Sequence, residues 1–500
     1  MMRLFNIFKK NLKRGEFYLV VILAVGFFVR LYKIDNPIAD WHSWRQADTA
    51  SVARNFYQEG FNPFIPKYDD LIGTDKNYIP NKERYRLVEF PIYNSLVYFA
   101  YLLKGGVDEK LARLVSVLMS LGSTLFLYLI VKRYWGVFTA HLSALLFAIL
   151  PFNIYFSRVT LPEPTLVFFC LGMVYFTDLW ISKNNRKLYF VSIFFTAMAF
   201  LVKPTAIFYF LPLVYLYYLK EGKWWPIPRR YLFFATLAFA PLLLWRVWIS
   251  RFPAGIPPSG WLLDGDNIRF KPAFWRWIIG ERLGKEILGA AGIVLFSLGA
   301  LIKSLPWEGK FLHLLLLSML AYLIVFATGN IRHDYYQILI IPILAAFTAR
   351  GFTLLFKGAD NLLPRFWTIP LALLLLFLTP YFGWQEVKGL YQINNGAIVE
   401  AGQEANKILP KRAVVLAPYN GDTAFLYQIN RSGLAMTVLP IEKLKEIFGI
   451  THFVSVNYDD RTNWITRHYE VLEANPRFVI VDLTKGKLLD KNVPDPEPEK

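Results

Sequence analysis

Residues 112–133, ARLVSVLMSLGSTLFLYLIVKR, run from Ala112 to Val131 with almost no charge and end on the pair Lys132-Arg133. At about 1.5 Å of rise per residue, such a run is long enough to cross the ~30 Å hydrocarbon core of a bilayer as one helix. A basic pair at its end is the signature that membrane proteins keep on the cytoplasmic side. The same arrangement recurs in both directions. Runs near 16–33, 112–131, 136–156, 162–182, 187–202, 204–219, 231–250, 286–303, 310–328, 335–356 and 366–384 give about eleven expected spans. With that count the basic clusters Lys132-Arg133, Lys183 with Arg186-Lys187, Lys220 through Arg230, Lys303 with Lys310, and Lys357 with Arg365 all fall on the side of the N-terminus. The expectation is an all-α polytopic membrane protein in the plasma (inner) membrane, multi-pass, with a cytoplasmic N-terminus.

Composition agrees: 55% of the 500 residues are hydrophobic. A formal charge of +18 would suit nucleic acid. Here, however, Lys and Arg occur in short clusters between apolar runs and not along one face, so the charge points to membrane lipids and not to nucleic acid. The single cysteine, Cys170, excludes an intrachain disulfide and reads as a packed thiol. The opening MMRLFNIFKKNLKRGEF places its charges ahead of a long apolar run, as an uncleaved signal anchor does.

Residues 90–104, FPIYNSLVYFAYLLK, are short for a crossing and contain Pro91. A surface or re-entrant helix keeps every later basic cluster inside. A crossing would turn them all outward. Several loops then gather on the outer face: 34–111, the turn from Arg158 to Glu163, the Lys203-Pro204 hinge, 251–285, and Asn330 to Gln337. The first is the richest, because residues 40–60, DWHSWRQADTASVARNFYQEG, combine Asp40, His42, Arg45, Asp48, Arg54 and several aromatics. From Asp48 onward its apolar positions recur at helical spacing, which predicts an amphipathic helix on the membrane surface. The Pro- and Trp-containing loop 251–285 is placed to cover an outer-face site.

After Trp384 the composition changes. Residues 385–490 alternate β-rich runs (Val414 to Leu416, Phe453 to Val456, Phe478 to Val481) with helical segments (Ile441 to Phe448, Trp464 to Leu472), which predicts a small extracytoplasmic α/β domain. The Pro-rich, charged tail 491–500 is expected to be disordered. The division is thus 1–384 for the membrane domain, with 34–111 as its first outer loop carrying amphipathic helices, then 385–490 and the tail.

At this point the residues carry a resemblance. HSWRQADTASVARNF after the first run, EFPIY at 89–93, ARLVSVLMSLGSTLFLYLIVKRYWG, SRVTLPEP at 157–164, LVKPT at 201–205 and RHDYYQILIIPIL together resemble the GT-C membrane glycosyltransferases, in the family 39 branch of protein O-mannosyltransferases and the aminoarabinose transferase that modifies lipid A. The resemblance covers roughly 15–385. It implies an inverting glycosyltransferase that moves a sugar from a polyprenyl-phosphate carrier to an acceptor hydroxyl at the extracytoplasmic membrane face. The acceptor is a lipid, glycan or protein. The chemistry fits independently, since one carboxylate takes the acceptor proton while cations meet the departing monophosphate. Arg and Lys suffice for a monophosphate, so neither a metal nor another cofactor is expected.

Asp48 lies in the loop corresponding to the family's catalytic loop and is the expected base. Its alternative role is to cap a helix beginning at Thr49. The O-mannosyltransferases carry adjacent Asp-Glu here, where this chain has Gln46-Ala47-Asp48, so Asp40 stands as a substitute. Glu163 matches a second family acid that orients the acceptor or shares the base role; its other reading is a helix N-terminus stabilised by the dipole. Glu89 occupies the place of the aminoarabinose transferase's lysine, where a carboxylate cannot bind phosphate, and remains a substrate-side candidate. The cation then comes from Arg45, Arg158, Lys203, Arg332 or His333, with His42 and Tyr335 on the substrate side as well. Snorkelling to the interface is the competing account of Arg158 and Lys203. Trp41, Trp44, Tyr335 and Tyr336 either stack on a sugar or belong to the interfacial aromatic belt. The rival class is a transporter or flippase of lipid-linked sugars, which would place its ionisable residues near the bilayer midplane.

Overall fold

The computed structural model describes residues 14–72, 80–304, 308–358 and 364–486. The basic residues ahead of the expected anchor and the 491–500 tail lie outside the described residues. In chain order the helices used below are α1 Arg14–Arg30, α2 Ser43–Glu59, α3 Ile92–Lys104, α4 Glu109–Ile149, α5 Glu163–Lys183, α6 Arg186–Val202, α7 Ile207–Glu221 and α8 Arg229–Ile249. They continue with α9 Ala291–Leu301, α10 Phe311–Val325, α11 Ile341–Lys357, α12 Arg365–Val387, α13 Gly396–Ile408, α14 Ala424–Ile429, α15 Ile441–Phe448 and α16 Asp460–His468.

Among the described residues, four helical segments are long and apolar enough to cross a membrane: α4, α5, α8 and the segment that begins with α12. The pair Pro272–Ile287 and α9, bent by 113° between its halves, makes a fifth if it is one broken span. These segments make the chain an integral membrane protein. The eleven or so expected runs also include helices shorter than these. The runs at 187–202, 204–219, 286–303 and 310–328 form helices of 17, 15, 11 and 15 residues. The runs at 112–131 and 136–156 meet at Gly136, whose non-helical backbone (φ 82°, ψ 173°) breaks α4 in two at the expected boundary. That backbone conformation is open essentially to glycine alone. The 90–104 run forms the 13-residue α3, too short to cross. Where a loop was expected over 251–285, the chain is a string of short helical turns that runs into a 12-residue π-helix, Arg276–Ile287.

The chain divides into two compact units. The first comprises 1–34, 113–245 and 259–389. In it α5 lies on α6 and α7, and α9 on α11 and α12. The α9–α11 contact is between backbones: a Cβ on Gly299 would stand 1.9 Å from the Phe347 carbonyl oxygen, and one on Gly351 1.8 Å from that of Leu295. Helices without a hydrophobic drive toward each other in lipid associate through such small-residue contacts. Leu243, Leu244, Val247, Phe366, Trp367 and Phe377 are exposed, as lipid-facing side chains are.

The second unit comprises 35–112, 246–258 and 390–500, so the first long loop folds with the C-terminal segment and not with the helices on either side of it. Its frame is a mixed sheet in the order β2-β1-β3-β5-β4. Val415–Leu416 (β1) runs parallel to Gly433–Leu434 (β2) and to His452–Ser455 (β3). Phe478–Gly486 (β5) is antiparallel to β3 and to Tyr469–Asn475 (β4). The expected helix Ile441 to Phe448 is α15. The expected helix Trp464 to Leu472 instead ends at His468, and the rest is β4. Residues of the first loop extend the sheet: Leu71 N–H donates to the Gly433 carbonyl at 2.9 Å and Gly433 N–H to that of Asp69 at 3.0 Å.

Helix α2 departs most from expectation. It is not an amphipathic surface helix, since Ser43 and every residue from Arg45 to Phe56 are buried. Ala47 and Ala50 join a core with Ile398, Ala401, Phe425 and Val454 of the C-terminal segment. Val52 and Phe56 pack on Tyr68. Small alanines on one face let α14 approach closely, and the polar face is buried as well, which obliges each of its charges to find a partner.

Candidate active site

In the second unit the polar residues of α2 are met one by one. Asp48 is 4% exposed. Its Oδ2 lies 2.8 Å from the Arg86 guanidinium, and its Oδ1 accepts the Thr423 hydroxyl at 2.7 Å. Because α2 begins at Ser43 with His42 as its N-cap, Asp48 sits in the helix interior and is not a cap. A carboxylate offers about four lone-pair directions, so two bonds still leave it able to accept a third donor. Arg54 is ion-paired with Asp69 and donates to the Tyr427 carbonyl at 2.7 Å, with Asn55 on the other Asp69 oxygen at 3.2 Å. These bonds tie α2 to the 67–72 segment that extends the sheet.

Of the other candidates in this unit, Arg45 and Glu89 meet each other at 2.5 Å, so the Arg45 charge is balanced. Asp40 is buried and accepts the Gln46 amide at 2.5 Å. His42 is half-buried in the left-handed conformation (φ 56°), its ring 4.9 Å from that of Trp41.

Four residues outside the expected set belong to the Asp48 surroundings: Arg86, Asp70, Asp422 and Thr423. Arg86 also lies over the Tyr68 ring, at 5.1 Å. The Asp70 carboxyl is pushed up to about 7 by burial, partly offset by the Ile72 N–H and raised further by the Asp48 charge. Asp422 is raised as well, by burial first, against the hydrogen bond it accepts from Ser43. Arg86 and Asp70 stand in the same loop as Asp48. Thr423 follows the turn Asn420-Gly421, both at positive φ (51° and 75°), a visible turn signal that says nothing about which helix the next side chain will reach.

In the first unit a second constellation assembles. Glu163 opens α5 fully buried, its Oε1 accepts the Lys203 ammonium, and its Oε2 has no partner among the described residues. Lys203 ends α6 in an extended conformation ahead of Pro204, and its Nζ lies 4.7 Å from the Tyr336 ring centroid. The His333 ring is 5.4 Å from Tyr335, 5.7 Å from Tyr336 and 5.5 Å from Trp261. The Arg332 guanidinium, exposed, is 5.6 Å from Trp261. So Glu163, Lys203, His333, Tyr335 and Arg332 are brought into one continuous cluster. Arg158 is also fully buried, 5.1 Å from the Tyr155 ring and donating to the Lys33 carbonyl at 2.8 Å. Among the described residues no three His, Cys, Asp or Glu side chains are grouped so as to hold a metal ion.

This fold, a bundle of apolar helices and a mixed α/β unit, is shared with solved structures. ArnT from Cupriavidus metallidurans bound to undecaprenyl phosphate superposes over 93% of this chain and 97% of its own, with a TM-score of 0.64 and 14% identity. The oligosaccharyltransferase of Archaeoglobus fulgidus covers 88% of this chain and 69% of its own, with a TM-score of 0.55 and 13% identity. The family model described as dolichyl-phosphate-mannose-protein mannosyltransferase matches residues 91–248. No curated protein matches the chain by sequence.

Proposed function

We propose that this chain is an inverting glycosyltransferase that moves a sugar from a polyprenyl-phosphate carrier to an acceptor hydroxyl at the extracytoplasmic face of the plasma (inner) membrane. The observation that carries the reading is Asp48: a buried carboxylate held by Arg86 and Thr423, in the loop where the resemblance places the base. The fold and the family match over 91–248 support it at the level of class. The neighbouring ArnT structure contains undecaprenyl phosphate, which favours a lipid monophosphate as donor.

In this reading Asp48 takes the proton of the acceptor hydroxyl as its oxygen attacks the anomeric carbon. The bond to the carrier phosphate breaks on the opposite side, and the configuration inverts. Fixing the carboxylate between two donors settles its orientation before the acceptor arrives, which removes a reorganisation step from the barrier. Within the first unit, Lys203, Arg332 and His333 supply the charge that a phosphate needs; within the second, Arg45, balanced by Glu89, orients a substrate. Glu163 offers its second oxygen to a substrate hydroxyl. Because Lys and Arg neutralise a monophosphate by themselves, transfer proceeds without a metal.

The test uses purified protein in lipid, a panel of polyprenyl-phosphate sugars and a mixed acceptor extract, with and without chelator. Transfer that survives chelation and is lost in Asp48→Asn is the expected result. A carrier that merely crosses the bilayer, with no sugar transferred from any donor, would overturn the enzyme in favour of a flippase.

A further inference from the structure

At the ends of α5 and α8, and at the start of α6, the first unit carries a cavity that the transfer reaction does not use. Its volume is about 430 Å³, and it is lined by Trp180, Asn184, Asn185, Arg186, Tyr189, Phe190, Arg230, Phe233 and Leu237. That volume lies within the roughly 300–1,000 Å³ of small-molecule sites. The floor is rigid: Trp180 is stacked on Phe234 at 4.9 Å and set edge-on to Tyr189, also at 4.9 Å, and the Tyr189 hydroxyl donates to the Arg230 carbonyl at 3.2 Å. One rim is basic. Arg230 is held in place by Glu221 and by the Asn184 side chain at 2.9 Å, with its Nε buried and without a partner among the described residues. Arg186 is exposed, its guanidinium 6.0 Å from the Phe190 ring, with Lys183 and Lys187 close to it in sequence and Arg229 next to Arg230. The other rim is greasy: Phe190, Phe233 and Leu237 are each about half exposed, at 51%, 62% and 49%.

We propose that this groove binds an anionic glycerophospholipid of the surrounding membrane. Its phosphate would be taken by Arg186 and Arg230, and the first part of its acyl chains would lie along Phe190, Phe233 and Leu237. Three features argue for that occupant. The groove lies at the ends of two helices long enough to span, the level at which headgroups sit. Its charge is complementary to a phosphodiester, since Arg186 and Arg230 line it and no carboxylate is among its lining residues, Glu221 being ion-paired with Arg230 from outside the lining. The apolar wall continues from the charged rim into the lipid-facing surface of α8, as a lipid and not a soluble anion requires. The inference does not depend on the sugar-transfer reading, because it uses neither Asp48 nor the Glu163–Lys203 pair.

The test is native mass spectrometry of the full chain with phosphatidylglycerol, phosphatidylcholine and a polyprenyl monophosphate added in turn. Phosphatidylglycerol is expected to bind in preference to phosphatidylcholine by about fivefold or more per engaged basic side chain. Arg186→Gln removes a charge without breaking an ion pair and lowers that preference. Leu237→Trp fills the groove without touching its charge and lowers occupancy by phosphatidylglycerol. A raised thermal midpoint in phosphatidylglycerol, lost in both variants, provides a second readout. Equal binding of the two phospholipids, or an unchanged preference in both folded variants, overturns the site. Displacement of phosphatidylglycerol by the polyprenyl monophosphate at equal concentration overturns the membrane phospholipid as its occupant.

Discussion

Asp48 and Asp70 are two carboxylates of the same loop, and their surroundings set them apart. Asp48 is tied to Arg86 and Thr423, whereas Asp70 takes only the Ile72 N–H among the described bonds and is pushed up to about 7. Asp48→Asn leaves the shape and removes the base, so turnover should fall at least about a hundredfold while carrier affinity stays near that of the unmodified chain. Single-turnover rates and equilibrium carrier binding, measured on one preparation, separate the two quantities, and ordinary turnover in the variant would remove Asp48 from the mechanism. For Asp70 the sign follows from its raised value. Between its unfolded value near 3.8 and about 7 the folded state holds a proton that the unfolded state has lost, so this group's contribution to stability declines as pH rises through that window. Asp70→Asn, which stays neutral, should therefore raise the thermal midpoint at about pH 8 and change it little at about pH 4. A variant that shifts the midpoint equally at both would mean that Asp70 is already ionised at the lower pH.

At the scale of elements, the helices of the first unit were legible because each apolar run is local: α5, α8 and α12 fall within a few residues of their expected spans. So were the strands at Val415, Phe453 and Phe478, whose β-branched and aromatic runs are equally local. The break at Gly136 falls at the boundary expected between the runs 112–131 and 136–156, whereas hydropathy alone does not announce the bend before α9. Helix α2 was misread for a different reason. Its Ala47 and Ala50 look like the modest apolar face of a surface helix, and they become core only because Ile398, Ala401 and Phe425 arrive from some 350 residues away. The crossing of α9 and α11 is likewise invisible in composition, yet it makes a sharp prediction. Gly299→Ala puts a methyl group where the Phe347 carbonyl already stands, so the helices must separate at a cost of about 1–3 kcal/mol, read as a lower thermal midpoint. The same change at Gly280, whose Cβ would meet nothing within 4 Å, is the control and should leave the midpoint nearly unmoved.

At the scale of the whole molecule, the consequential fact is that residues 35–112 and 390–500 fold as one unit, although more than 250 residues separate them in sequence. The C-terminal segment is thereby part of the candidate site's architecture: α14 packs on α2, and Thr423, immediately before α14, supplies one of the two hydrogen bonds that hold Asp48. Neither was legible, because nothing local to Asn420-Gly421-Asp422-Thr423 names its partner. If that hydroxyl positions the base, Thr423→Val, which keeps the shape and removes the donor, should lower kcat by about tenfold, the worth of one hydrogen bond of roughly 1–1.5 kcal/mol, while KM for the carrier holds. Thr423→Ser restores the donor with less bulk and should recover most of the rate, an outcome that packing alone would not give. Full activity in Thr423→Val beside an inactive Asp48→Asn would leave the base in place and reduce the C-terminal segment to a cover for α2.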